Sequence, residues 1–236
     1  MKIFISVTAA ILLSWCPLIT GAFLLQADET TPQEQRAQEL QDFYNSLTSL
    51  TFDFRQISRV GARERLGSGN AVFVKPEIPE KNPSVMRWNY TEPGTQVIIN
   101  NGTTLTIYTD KDRQLIRTSA RELESDITYA FFAGNRDLLE DFAALPADNG
   151  FVFSTAEELQ AVKLVPRQPH NQIRAVTIWS DDNKIIRHMV IEDHFDAVTE
   201  LTFEQVSINS IRADDMETID GIISFDVPPG TEIITQ

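Results

Sequence analysis

Cysteine is almost missing from this chain. The single one among 236 residues, Cys16, lies inside an apolar opening segment, MKIFISVTAAILLSWCPLITGAFLLQA. Without that segment no thiol remains, which excludes disulfides and cysteine chemistry; the folded part must be held by its core. Positive charge is also scarce. Twenty lysines and arginines face 34 acids, for a formal charge of −14. That balance excludes a nucleic-acid binder and argues against adhesion to anionic lipid. There are three histidines, no Gly-x-Ser-x-Gly, no phosphate loop and no zinc spacing. Repeats, low-complexity tracts and a second long apolar run are absent too.

The opening segment has one basic residue, a long apolar run and then small residues, which is the pattern of a secretory signal. Cleavage after Ala22 or after Ala27 fits, and Ala27 marks the change from apolar to polar text. The expected division is a signal peptide over 1–27 and one domain over 28–236. Trp15 precedes Cys16, where an acylated cysteine normally follows a small residue, so Cys16 reads as part of the signal. The alternative is an uncleaved anchor.

Thr31-Pro32-Gln33-Glu34 predicts a helix start, with Thr31 as N-cap, Pro32 in the first turn and Glu34 closing a capping box. Ala37, Leu40, Phe43 or Tyr44, and Leu47 follow at helical spacing, giving an amphipathic helix of about four turns. The period then changes to two. LTFDFRQIS, GSGNAVFVKP, SVMRWNYT, TQVIIN, TTLTIYT and RQLIRTS predict strands, with an Asn100-Asn101-Gly102 hairpin. SDITYAFFAGNRDLLEDFAAL, divided at Gly134, has helical spacing through Phe131 and Phe142. GFVFST, LQAVKLVP, QIRAVTIWS, KIIRHMVIED, VTELTFEQVSI and IISFDVP predict further strands.

About eleven strands with a leading helix and a helical insertion give a mainly β (α+β) fold. The helices carry aromatic faces that also need burial. An unclosed, curved antiparallel sheet wrapped around them as plug or lid satisfies both demands.

The succession LTFDFRQ, GSGNAVFVKP, PSVMRWNYTEP, VIINNGTTLTIY, LVP, MVIED and ISFDVPPGTEI resembles the periplasmic outer-membrane lipoprotein carrier (LolA) family, from about Thr31 to Ile233. The resemblance implies an unclosed antiparallel β-barrel, an apolar cavity and a helical lid. It implies a monomeric periplasmic chaperone that accepts acylated lipoproteins from an inner-membrane ABC-type release complex. Delivery would be to an outer-membrane receptor, with no cofactor, no metal and no enzymatic step. PSVMRW matches the family's cavity-lining segment and places Met86 and Trp88 there, a methionine standing where an aromatic is usual. Tyr90 shares their face, and Phe52, Phe54, Val97, Ile99, Leu105 and Ile107 are the expected neighbours. Phe131 and Phe132 fall on the lid. The family's lid-closing arginine precedes a proline. Here the corresponding residue is Lys75 before Pro76 or Asn82 before Pro83, according to where EIPEKN is inserted.

Other chemistry has weaker support. His188, Glu192 and His194 alternate on one strand face and could approach a metal, but alternation on an exposed face accounts for them equally. Asp181-Asp182 and Asp214-Asp215 read as solvated turns. The rival functions are a lipid- or lipoprotein-binding envelope sensor or receptor of the same fold, and an envelope hydrolase with an all-β core.

Overall fold

The computed structural model describes residues 30–75, 84–133, 137–148, 150–151, 158–170 and 172–236. The signal segment, with Cys16, Ala22 and Ala27, lies outside the described residues. So do Pro76, Asn82, Pro83, Gly134 and most of GFVFST.

Helix α1, Pro32–Ser46, begins as its sequence dictates. Thr31 Oγ1 accepts from the Glu34 N–H at 3.2 Å, and Glu34 Oε2 accepts from the Thr31 N–H at 2.9 Å. Such a cap contributes about 1 kcal/mol. Ala37, Leu40, Gln41 and Tyr44 form its buried stripe. Of the two aromatics competing for that stripe, Tyr44 is buried and Phe43 is half-buried.

Twelve strands follow. They are β1 Ser49–Val60, β2 Arg63–Val74, β3 Val85–Glu92, β4 Gln96–Asn100, β5 Thr104–Thr109 and β6 Gln114–Ser119. After the helical insertion come β7 Phe142–Leu145, β8 Gln160–Pro166, β9 Ala175–Ser180, β10 Ile186–Glu192, β11 Val198–Ile208 and β12 Glu232–Thr235. All belong to one sheet in the order β12-β6-β5-β4-β3-β2-β1-β11-β10-β9-β8-β7. Neighbours are antiparallel except β12, which runs parallel to β6. Among the described residues no pairing joins β12 to β7, so the barrel is unclosed. The expected mainly β fold stands, with twelve strands rather than about eleven.

Sheet direction is set by the period of two. Phe52 and Phe54 of β1, Phe73 of β2, Trp88 of β3 and Phe203 of β11 share the inner face and pack together. Against them lie α1, α2 (Ile127–Ala133) and the single-turn α3 (Leu138–Asp141). Asp137 caps α3 by accepting from the Leu139 and Glu140 N–H groups.

Two segments differ from expectation. Phe142 continues the helical spacing, yet it opens β7, because Phe142–Leu145 finds backbone partners on β8. Those ladder bonds outweigh the weak propensity of so short a helix. IISFDVP alternates like a strand, but Ile222 and Ile223 end helix α4, Met216–Ile223. Asp215 caps that helix by accepting from the Thr218 N–H at 3.1 Å. Phe225 and Val227 then pack on the outer face of the sheet against Val97, Ile99, Tyr108 and Leu115 without joining a strand. Burial of alternate side chains, not ladder pairing, explains the period of two there.

Candidate binding cavity

The inner face is not filled everywhere. Between β1–β4 and β10–β11 on one side and the start of α2 on the other lies a cavity of about 300 Å³. Phe73, Met86, Trp88, Ile98, Leu123, Tyr129, Ile191 and Leu201 supply its apolar wall. Gln56, Tyr90, Asp126, Thr128 and Thr199 supply its polar part. Its volume is at the lower end of the ~300–1,000 Å³ range of ligand sites. The lining residues come from strands far apart in sequence, and only the curvature of the sheet makes them neighbours.

Register decides which side chains reach it. Trp88 pairs with Ile98, and Ile98 with Ile107, so these three share the inner face. Met86 pairs with Asn100, and Asn100 with Leu105, on the same face. Met86, Trp88 and Tyr90 line the cavity. Phe52 and Phe54 sit just behind them: Trp88 lies 5.4 Å from the Phe52 ring and 4.6 Å from Phe54. Leu105 and Ile107 are on the correct face but outside the lining. Val97 and Ile99 must be corrected. They pack on the opposite face, under Phe225 and Val227. Val97, Ile98 and Ile99 are all apolar because both faces of β4 are covered, so alternation cannot tell which one faces inward.

The buried Trp88 indole N–H lies by the Tyr90 hydroxyl and tempers the rise of its pKa.

Helix α2 covers the aromatic end of the inner face. Phe132 is enclosed by Tyr44, Phe52, Phe73 and Phe203, with ring centroids 5.2–5.6 Å away. Phe131 packs on Tyr44 at 5.0 Å. Two polar contacts orient the helix. Asn100 Nδ2 donates to Tyr129 Oη at 2.8 Å, and Asp126 Oδ1 accepts from the Tyr129 N–H at 2.8 Å.

Helix α1 is tied down at several points. Lys75 Nζ donates to the Tyr44 main-chain oxygen at 2.5 Å. Tyr44 Oη accepts from the Ile186 N–H at 2.9 Å, and Gln41 Oε1 accepts from the Leu138 N–H at 2.5 Å. At the other end Arg36 Nη2 donates to Ser180 Oγ at 2.7 Å and to the Asp181 main-chain oxygen at 3.2 Å. Lys75 thus reaches α1 rather than α2. Tyr44 links it to the lid aromatics, since Phe131 and Phe132 rest against that ring.

Ionisation follows burial. Burial lowers the Lys75 ammonium to about 8. Burial, reinforced by the nearby Asp126 charge, pushes Tyr90 up to about 12, while its hydroxyl donates to Gln56 Oε1 at 2.8 Å. Burial also raises the Asp126 carboxyl, against the lowering effect of the Tyr129 and Thr128 N–H groups. Asp126 lines the cavity and keeps accessible surface.

Residue spacing gave no sign of Gln56, Phe73, Ile98, Leu123, Asp126, Thr128, Tyr129, Ile191, Thr199 or Leu201 as lining. Pairing Trp88 across the hairpin would have identified Ile98; the others depend on how the sheet curves. The weaker histidine cluster disperses: Glu192 Oε2 accepts from Arg174 Nη2 at 2.9 Å, and His188 Nδ1 lies 3.2 Å from Thr202 Oγ1. His194 Nε2 lies 2.7 Å from the His170 main-chain oxygen. No helix among the described residues is long and apolar enough to cross a membrane.

The family described as "Outer membrane lipoprotein carrier protein LolA" matches residues 45–219. An outer-membrane lipoprotein carrier protein of Methylococcus capsulatus is 30% identical over 190 residues, covering 79% of this chain and 82% of the relative. One from Nitrosomonas europaea is 26% identical over 173 residues, covering 72% and 73%. Among solved structures, a LolA superfamily protein from Nitrosomonas europaea superposes with a TM-score of 0.40 at 13% identity, covering 80% of this chain and 98% of the other.

Proposed function

From the premise that this chain belongs to the outer-membrane lipoprotein carrier (LolA) family, we propose that it carries acylated lipoproteins across the periplasm. Cargo would come from an inner-membrane ABC-type release complex and pass to an outer-membrane receptor. The working protein would be a monomeric, single-domain chaperone over 28–236, exported by the 1–27 signal.

The observation that carries this reading is the cavity beneath α2, walled by Met86, Trp88, Ile98 and Leu201 inside an unclosed barrel. An acyl chain of about fifteen methylenes gains roughly 12 kcal/mol on leaving water, at ~0.8 kcal/mol each. Two or three chains make unaided crossing of an aqueous space negligible. A carrier must hide that surface yet give it up.

The geometry supports both halves of the proposed cycle. In the closed state Phe131 and Phe132 occupy the aromatic end of the barrel and cover its lining. A cavity of about 300 Å³ is small for several chains, so loading must displace α2. Loss of the Phe132 contacts then offsets part of the acyl burial and leaves cargo loosely held. Met86 suits this task, since a flexible thioether adapts to chains of varied path. No bond is made or broken at any step.

The test is to purify the protein from its native envelope and ask whether acylated protein travels with it. The purified chain is then titrated with a synthetic acylated peptide. Co-purifying lipoprotein and saturable binding are expected. Absence of both overturns the carrier reading.

A further inference from the structure

The β1–β2 hairpin projects beyond β3. On one side β1 stays paired with β11 as far as Arg59↔Val198. On the other side the β2–β3 ladder ends at Ser68↔Glu92, where the chain turns at Pro93-Gly94 toward β4. Residues 63–67 of β2 therefore form a strand edge with no neighbour among the described residues. The hairpin carries four arginines. Arg55 pairs with Glu204, and Arg59 pairs with Glu64 and Glu200. Arg63 and Arg65 are exposed and have no acidic partner among the described residues, in a chain whose formal charge is −14.

Register puts these two on the cavity's side of the sheet. Val60↔Arg63, Ser58↔Arg65 and Gln56↔Gly67 are opposed pairs, so they continue the face of Phe52 and Phe54. Gln56 lines the cavity, and Ser58 Oγ lies 3.3 Å from the Oγ1 of Thr199, another lining residue. The free edge begins where the cavity wall ends.

We propose that this edge takes the extended linker following the acylated end of the cargo as an added strand, with carboxylates at alternate linker positions meeting Arg63 and Arg65. The inference rests on the carrier reading above and adds a polypeptide specificity to it. An open edge offers main-chain donors and acceptors that another extended chain can match. Side chains two residues apart on a strand share a face at roughly 7 Å, so acids at alternate linker positions match the arginine pair. A chain leaving the cavity past Gln56 runs onto Gly67 and this edge. A membrane surface fits less well. It cannot complete a strand edge, and Glu64, Glu92 and Asp196 stand at the same end of the barrel, where they repel anionic lipid.

The experiment titrates the purified protein with three synthetic peptides that share one diacylated end. One linker has glutamates at alternate positions, one has glutamines there, and one has the glutamates with N-methylated main-chain amides. Displacement of a fluorescent acyl probe reports affinity. The glutamate linker is expected to bind about fivefold more tightly than the glutamine one, the scale of two exposed ion pairs, and the ratio should shrink as salt rises. N-methylation should weaken binding by about fivefold, the scale of a lost main-chain hydrogen bond. In the double variant Arg63→Gln, Arg65→Gln the glutamate-to-glutamine ratio should fall to about one. A thermal melt checks its folding; if it fails to fold, the three peptides on the parent protein decide. Equal binding of the glutamate and glutamine linkers, an unchanged ratio in the double variant, or indifference to N-methylation overturns the inference while leaving the carrier reading intact. Arginine-dependent pelleting with phosphatidylglycerol vesicles, alongside equal binding of the two linkers, overturns it in favour of a membrane contact. Failure of every peptide and of the probe to bind overturns both.

Discussion

Lys75, the residue after β2, donates to the main-chain oxygen of Tyr44 in the last turn of α1 at 2.5 Å. That carbonyl also accepts from the Leu47 N–H at 3.4 Å, so the lysine adds a second bond at the helix end. Tyr44 in turn packs its ring against Phe131 and Phe132 of α2. One ammonium therefore secures the helix on which the lid aromatics rest.

That contact has a pH signature. Burial holds Lys75 at about 8 in the folded chain, against 10.5 for an ordinary lysine. Between those values the unfolded chain binds more protons, so stability rises with pH across about 8 to 10.5. Below about 8 the full cost of burying the charge is present. Lys75→Met should abolish the rise. The stability of the parent relative to Lys75→Met, from denaturant melts at several pH values, should increase through this window; a constant difference would refute it.

Ile98 lines the cavity beside Trp88 but is only partly buried. Ile98→Trp should fill the open space and weaken acyl-probe binding at least about tenfold while leaving the melting temperature unchanged or higher. Ile98→Ala should keep binding. Probe titration beside a thermal melt checks both, and a melting temperature that falls in step with binding would make Ile98 a core residue only.

Gly69 sits where the β2–β3 register shifts. A Cβ there would lie 1.8 Å from the Asn89 main-chain oxygen, an atom that cannot turn aside. Gly69→Ala should cost at least ~3 kcal/mol or prevent folding. Gly67→Ala should stay within about 1 kcal/mol, because its Cβ meets the edge of the Tyr90 ring at 3.2 Å and the Glu92 main-chain oxygen at 3.6 Å, an ordinary contact. Chemical denaturation of the two variants separates them.

Arg87 Nη1 donates to the Ser224 main-chain oxygen at 2.7 Å and to that of Ile222 at 3.3 Å, holding the end of α4 on the outer face of the sheet. Arg87→Ala should lower stability by about 1–3 kcal/mol. Hydrogen exchange should quicken over residues 216–227 and stay slow in β1 and β11. Uniform quickening would mean that the segment is not an independent layer.

Much of this was legible in the residues themselves. The Thr31 capping box, the apolar stripe of α1, the Asn100-Asn101-Gly102 hairpin and the inward set Phe52, Phe54, Met86, Trp88 and Tyr90 follow from local preferences. Capping, turn chemistry and side-chain alternation act over a few residues and need no tertiary partner.

Only the tertiary structure decided which face of Val97-Ile98-Ile99 looks inward, since two separate apolar layers bury that strand from both sides. It also decided that Phe142 joins a strand, that the alternating tail covers the outer face, and that Asp126 shares a space with Tyr90 and Leu201. These outcomes depend on how a twelve-stranded sheet curves. Curvature brings together residues far apart in sequence, and no short-range pattern encodes a distance between strands that do not pair.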